Sequence, residues 1–194
     1  KRLLLPDLPS NLSVVRSGKS NGEQWVFRIT TDAGREIFAI AVSPKIGSRT
    51  GPTWSYVFED RGFRSVDLGS PGSLLSLVDG YKAAGIKLAD VSSVIVTHGH
   101  SDHDGTVPEF LDMSGAELWA HETYGILKSF NAWDIQDFGA SALQVELRRI
   151  GKERIAIDHI DARLNRDHAY YEGRKSTEVS VHITDGYELS LIHI

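Results

Sequence analysis

Apolar residues gather in short runs over residues 11–17, 24–30 and 36–42, and short segments rich in Gly and Asp or Thr, 18–22 and 31–34, separate these runs. Runs of this length bounded by turn residues read as short strands, so the N-terminal third predicts a strand meander. Residues 54–58 and 63–68 predict two further strands, the second ending in Asp67-Leu68-Gly69 and so placing Asp67 at a strand tip. The pattern then changes. After Ser70 and Pro71, the residues Leu74, Leu77, Val78, Tyr81 and Ala84 recur at the spacing of one helical face, which predicts a helix over 70–84 that Gly85 ends. Val91, Val94, Ile95 and Val96 follow as the β-branched run of a buried strand over 91–97, so residues 63–97 read as a βαβ unit with two parallel strands.

Further on, Thr106 and Glu109 have the spacing of a capping box, with Pro108 in the first turn of a short helix through Leu111. A strand over 116–120 and a helix over 122–130 come next. From 131 to 175 the periodicity weakens into a helix near 142–150 and a polar stretch at 161–175, and this part reads as an insertion. Val179, Val181 and Ile183 alternate with polar residues, and Asp185-Gly186 predicts a two-residue hairpin turn into a last strand, 187–194. The whole reads as one α/β domain over 1–194, and because the apolar pattern runs to Ile194 without a closing turn, the domain is expected to continue.

Composition narrows the chemistry more than the fold. With 194 residues, 41% of them hydrophobic and 24% charged, the chain can bury a substantial core, and it has no apolar run of membrane-spanning length. The net charge of -5 and the scattered Lys and Arg do not favour nucleic acid as a partner. The absence of cysteine excludes disulfides and thiolate metal sites, so any bound metal must use His and carboxylate ligands. Lys1 is not an initiator Met, and Leu3 to Leu5 before Pro6 are too few for a signal-peptide core. A cytoplasmic location is the working expectation, and a homodimer stays open.

The chemistry concentrates in Thr97-His98-Gly99-His100-Ser101-Asp102-His103-Asp104-Gly105, three imidazoles and two carboxylates on a loop leaving a buried strand. In extended backbone His98 and His100 point the same way, which lets both reach one cation at about 2.0 to 2.1 Å. Asp102 and His103 can reach a second cation as the chain turns towards the helix. The competing reading is a solvated loop whose histidines cap the next helix. That suits one His better than three: with 8 His in 194 residues, a chance H-x-H-x-D-H match is on the order of one in a thousand.

This segment resembles the H-x-H-x-D-H signature of the metallo-β-lactamase superfamily, which also follows a hydrophobic strand. Ser65-Val66-Asp67-Leu68-Gly69 resembles the family's strand ending in Asp-x-Gly, and the strand leading to Leu191-Ile192-His193-Ile194 resembles the one that precedes the family's Pro-Gly-His ligand. The resemblance implies an αββα sandwich, of which this chain would carry the N-terminal half and the start of the second. It implies that His98 and His100 serve one metal and Asp102 and His103 another, with the remaining ligands beyond Ile194. Two zinc ions are implied, with iron or manganese as alternatives, and Asp67 is implied as a carboxylate orienting a ligand imidazole. Thr106 departs from the family, many members of which have a second Gly there.

The implied activity is hydrolysis by metal-activated hydroxide, oriented by Asp102, on a small-molecule ester, lactone or thioester. The other readings are a mononuclear-iron, sulfur dioxygenase-like oxidoreductase and a non-catalytic interaction domain. His121, at a strand end, is expected to be a non-ligand, and His159, His168, His182 and His193 are expected to be hydrogen-bonded or solvated. Trp54, Trp119 and Trp133 are expected in the core. Tyr170, Tyr171 and His168 could equally belong to a lid, a dimer contact or a polar surface, and receive no catalytic role.

Overall fold

In a computed structural model, residues 8–45, 51–129, 146, 149–152 and 177–186 are described. Eight strands form one sheet whose order in space is their order along the chain. The strands are β1 (Leu12–Arg16), β2 (Val26–Thr30), β3 (Glu36–Val42), β4 (Thr53–Glu59), β5 (Phe63–Val66), β6 (Val91–Val96), β7 (Glu117–His121) and β8 (Val181–Ile183). The first five pair antiparallel, the expected meander among them, and β5 to β8 pair parallel. The expected βαβ unit is present: α1 (Leu74–Ala83) connects β5 to β6, and Ser65 lies opposite Val94 across the parallel pair. Three more helices follow, α2 (Ser101–Asp104), α3 (Val107–Ser114) and α4 (Glu122–Ser129).

The chain divides into two compact units. One comprises Lys1–Gly125 with Thr177–Ile194, and holds the sheet and α1 to α3. The other comprises Ile126–Ser176, of which Glu146 and Arg149 are described as helical and form an ion pair at 2.7 Å. The rest of the expected insertion at 131–175, the strand at 187–194 and its side of the hairpin lie outside the described residues. Before the Asp185-Gly186 turn, β8 is in place, pairing Val181 with Trp119 and Ile183 with His121.

The core sits on the sheet face that α1 and α3 cover. Leu77, Gly80 and Tyr81 are the buried positions of α1, and Gly80 lets the helix backbone come down onto Ile40 of β3. Tyr81 is fully buried, packs edge-on against Phe110 of α3 at 6.0 Å and donates its hydroxyl to Ser65 Oγ at 2.6 Å. Burial pushes the Tyr81 phenol well above its ordinary value, the hydrogen bond with Ser65 offsetting only part of the shift. Val57, Val94 and Leu118 complete this layer with no exposed surface.

Three expectations need correction. Helix α1 begins at Leu74 rather than Ser70, because Gly69 and Gly72 have φ of 96° and 76°, a left-handed conformation that holds Ser70-Pro71-Gly72 as a turn. Thr106 is the N-cap residue of α3 but its side chain makes no cap bond; its hydroxyl donates instead to the Ser70 carbonyl at 2.6 Å, tying the motif segment to that turn. Trp54 and Trp119 are not core residues. Trp54 is 36% exposed and tilts against Phe27, while Trp119 is partly exposed, with the Arg64 guanidinium 4.2 Å over its ring. Side-chain size alone does not say which face of the sheet a residue occupies, and among the described residues the buried tryptophan is Trp25. Trp133 lies outside the described residues.

Candidate metal centre

Parallel strands β5 and β6 end side by side, and the residues that follow each strand meet there. Val66 is opposite Ile95 in the last registered pair. Asp67 then adopts φ 52°, a left-handed conformation that Asp tolerates better than most residues, and its amide bonds the Ile95 carbonyl at 3.0 Å. This turn swings the carboxylate across the end of β6, where it is 6% exposed. Oδ1 accepts from the Thr97 amide at 2.9 Å, and Oδ2 accepts from the Thr97 hydroxyl at 2.7 Å.

The same Oδ2 lies 2.8 Å from His103 Nδ1. An ionised carboxylate only accepts, so His103 donates from Nδ1, and in the neutral ring Nε2 then keeps the lone pair. His98 is held by a similar rule one step removed. Thr97 Oγ1 has spent its only proton on Asp67, so the 3.0 Å contact with His98 Nδ1 makes that nitrogen the donor. One buried carboxylate thereby fixes the ring state of two histidines, directly and through Thr97. This relay was absent from the sequence reading, for Thr97 carries no signal beyond its place before the motif.

The motif segment is clamped from several sides. Leu68 N bonds the His103 carbonyl at 2.8 Å, Gly69 forms a parallel bridge with Asp104, and the Thr53 hydroxyl donates to the Asp102 carbonyl at 2.8 Å. Helix α2 is a single turn in which the amides of His103 and Asp104 both bond the His100 carbonyl. On this frame the rings gather. His98 and His100 have centroids 4.5 Å apart, His98 and His103 4.1 Å, and Asp102 Oδ2 stands 3.7 Å from His103 Nε2. His98, His100 and Asp102 are exposed and His103 is partly so.

By type these donors suit a divalent cation, and two imidazoles have their Nδ1 atoms tied back in the way that a metal-binding histidine needs. Their spacing is tighter than a loaded site requires, since two rings spread around one ion at about 2.1 Å have centroids roughly 5 Å apart. Among the described residues no group of three or more His, Asp or Glu is placed to hold a single ion. His98 lies nearer to His103 than to His100, and Asp102 approaches the same His103 ring.

His121 lies elsewhere in its bonding: Nδ1 contacts Thr123 Oγ1 at 2.8 Å and Nε2 contacts Asp185 Oδ1 at 3.1 Å, so both ring nitrogens are engaged. His182 is exposed on β8, while His159, His168, His193, Tyr170 and Tyr171 lie outside the described residues.

Among similar solved structures is a subclass B3 metallo-beta-lactamase of Bradyrhizobium japonicum, 29% identical, covering 47% of this chain and 32% of that one, with a TM-score of 0.40. Another is a Cronobacter sakazakii metallo-beta-lactamase, 18% identical, covering 48% and 34%, with a TM-score of 0.41. A third is a class B3 di-zinc metallo-beta-lactamase from an Alaskan soil metagenome, 25% identical, covering 48% and 33%, with a TM-score of 0.40. The match spans about a third of the length of these relatives. A family model described as the metallo-beta-lactamase superfamily matches residues 49–188. That match runs through Asp67, the whole His-rich segment and β8, well over half of the sequence, and on this ground the chain belongs to the metallo-beta-lactamase superfamily.

Proposed function

We propose that this chain carries metal-binding residues of a metal-dependent hydrolase, with His98 and His100 holding one divalent cation and Asp102 and His103 a second. Zinc suits a donor set of imidazole and carboxylate without thiolate. The observation that carries the reading is the carboxylate of Asp67, buried at the strand ends and bonded so that His98 and His103 both present Nε2 as a lone pair. A solvated loop has no need of such an arrangement. When bound, a cation of this kind polarises a substrate oxygen and makes water nucleophilic near neutral pH.

The protein's own part is to hold these side chains ready. Asp67 keeps a proton on His103 Nδ1 and, through Thr97, on His98 Nδ1. Asp102, with a side chain 52% exposed, is the carboxylate that can reach a cation or a water beside it. The net charge of -5 gives no attraction to a polyanion, and a small-molecule ester, lactone or thioester is the proposed substrate class.

The test is to titrate the purified protein with zinc, measure bound metal and assay a panel of esters, lactones and thioesters. His98→Ala and Asp102→Ala should lower metal content and turnover together while circular dichroism stays that of the parent. A variant that loses metal but keeps full turnover removes the cation from the mechanism. Iron as the bound metal, with oxygen uptake on a sulfur substrate, would replace the hydrolase by an oxidoreductase.

A further inference from the structure

Asp104 ends the motif turn and has no part in the metal-binding arrangement described above, yet its side chain is completely buried. A carboxylate buried to this degree needs donors, because removing its charge from water costs several kcal/mol when nothing compensates. One donor is the Tyr124 hydroxyl, 3.0 Å from Asp104 Oδ2, on a tyrosine only 5% exposed at the start of α4. The pair lies directly under the histidine segment. A Cβ placed on Gly99 would stand 3.8 Å from Asp104 Oδ2 and 3.8 Å from two ring carbons of Tyr124.

We propose that Asp104 and Tyr124 are a positioning pair, a polar floor on which the His98-Gly99-His100 segment rests and which fixes the height and direction of its two imidazoles. Three observations converge on this. The residue between the two histidines is a glycine whose open side faces both partners, a Cβ there standing 3.8 Å from each. The Asp104 amide bonds the His100 carbonyl at 3.1 Å, so displacement of Asp104 pulls directly on His100. The backbone of Asp104 is also bridged to Gly69, two residues past Asp67, which links the floor to the carboxylate that sets the ring states. His98 and His100 are exposed and have little packing of their own. Beyond the Thr97 contact of His98 and the contacts among the rings, their order comes from below.

A floor of this kind raises metal affinity by reducing the conformations the loop must give up on binding. That consequence rests on the metal-binding reading proposed above; the mechanical role does not. A residue serving only overall stability would, when altered, loosen the whole unit alike.

The experiment therefore separates local from global opening. Tyr124→Phe removes one hydroxyl while keeping the ring, and Asp104→Asn keeps both size and an acceptor for the phenol. By hydrogen exchange of the metal-free protein, the amides of Leu68, His103 and Asp104 should exchange roughly tenfold faster in Tyr124→Phe, with Val57 and Val94 in the sheet unchanged. Asp104→Asn should stay close to the parent. With cobalt(II) as the probe, Tyr124→Phe should bind roughly tenfold more weakly and shift the visible spectrum, and Asp104→Asn should preserve it. Equal acceleration throughout the sheet, or no acceleration at the motif, overturns the proposal. If the parent binds no cobalt, the metal-binding reading fails while the exchange data still decide the role of the pair.

Discussion

Replacing Asp67 by Asn isolates the charge of the carboxylate from its shape. Asn tolerates the left-handed backbone at φ 52°, so the turn survives. One amide oxygen can still accept from the Thr97 amide, but an NH2 then stands where Oδ2 received the Thr97 hydroxyl and His103 Nδ1. The hydroxyl can rotate to accept. His103 can accept only by giving up its Nδ1 proton, which in the neutral ring moves to Nε2, the nitrogen a cation would need. Three charge-assisted bonds become neutral ones, at about 1 kcal/mol each, so unfolding free energy should fall by about 2–3 kcal/mol. Zinc affinity should fall about 10- to 100-fold. Urea unfolding reads the first effect, zinc titration the second, and long-range 15N–1H correlation of the imidazole nitrogens the tautomer. A variant that keeps the Nδ1–H form of His103 and binds zinc within twofold of the parent would refute the reasoning.

Other substitutions probe the scaffold. A Cβ at Gly105 would press on the Pro71 ring and the Ser101 carbonyl, so Gly105→Ala should lower unfolding free energy by about 1–3 kcal/mol in urea titration; an unchanged midpoint would show that the turn at 70–72 gives way freely. In an ordinary exposed helix Gly80→Ala would stabilise by about 1 kcal/mol, but here its methyl meets Ile40, and thermal melting should show a net loss. Tyr81→Phe deletes the bond to Ser65 and should cost about 1 kcal/mol at neutral pH. Because burial raises the Tyr81 phenol above its usual value near 10, the folded state holds that proton more tightly than the unfolded chain. Its contribution is complete below about pH 10 and is lost as pH rises further. Parent stability should therefore fall more steeply than that of Tyr81→Phe above this point, and parallel curves from urea midpoints would contradict the assignment.

Where one physical cause dominates, the sequence was a good guide. Val91 to Val96 could only be a buried strand, and the β-branched run did become β6. The apolar runs before residue 60, broken by short turns, became an antiparallel meander. The closeness of His98, His103 and Asp102 follows from their spacing in one segment, and the position of Asp67 beside them from its place at the end of β5. What escaped depended on contacts between distant positions. Thr106 has the spacing of a cap, yet a carbonyl 36 residues away in sequence takes its hydroxyl. Asp104 reads as one more polar residue of a loop until Tyr124, 20 residues on, is seen beside it. Trp54 and Trp119 were assigned by size, but burial depends on which sheet face is covered, and α1 and α3 cover the other one.

The order of the sheet has a further consequence, for assembly. Each strand lies next to its predecessor in the chain, and the first five are joined by antiparallel pairings that need only short closures. As the chain leaves the ribosome, β1 to β5 can pair before the His-rich segment is made, with Asp67 already at the growing edge. Strand β6 must then cross over α1 to pair in parallel, a slower step that closes a longer loop. The histidines therefore arrive after the carboxylate that fixes their protons, on a template that already carries it.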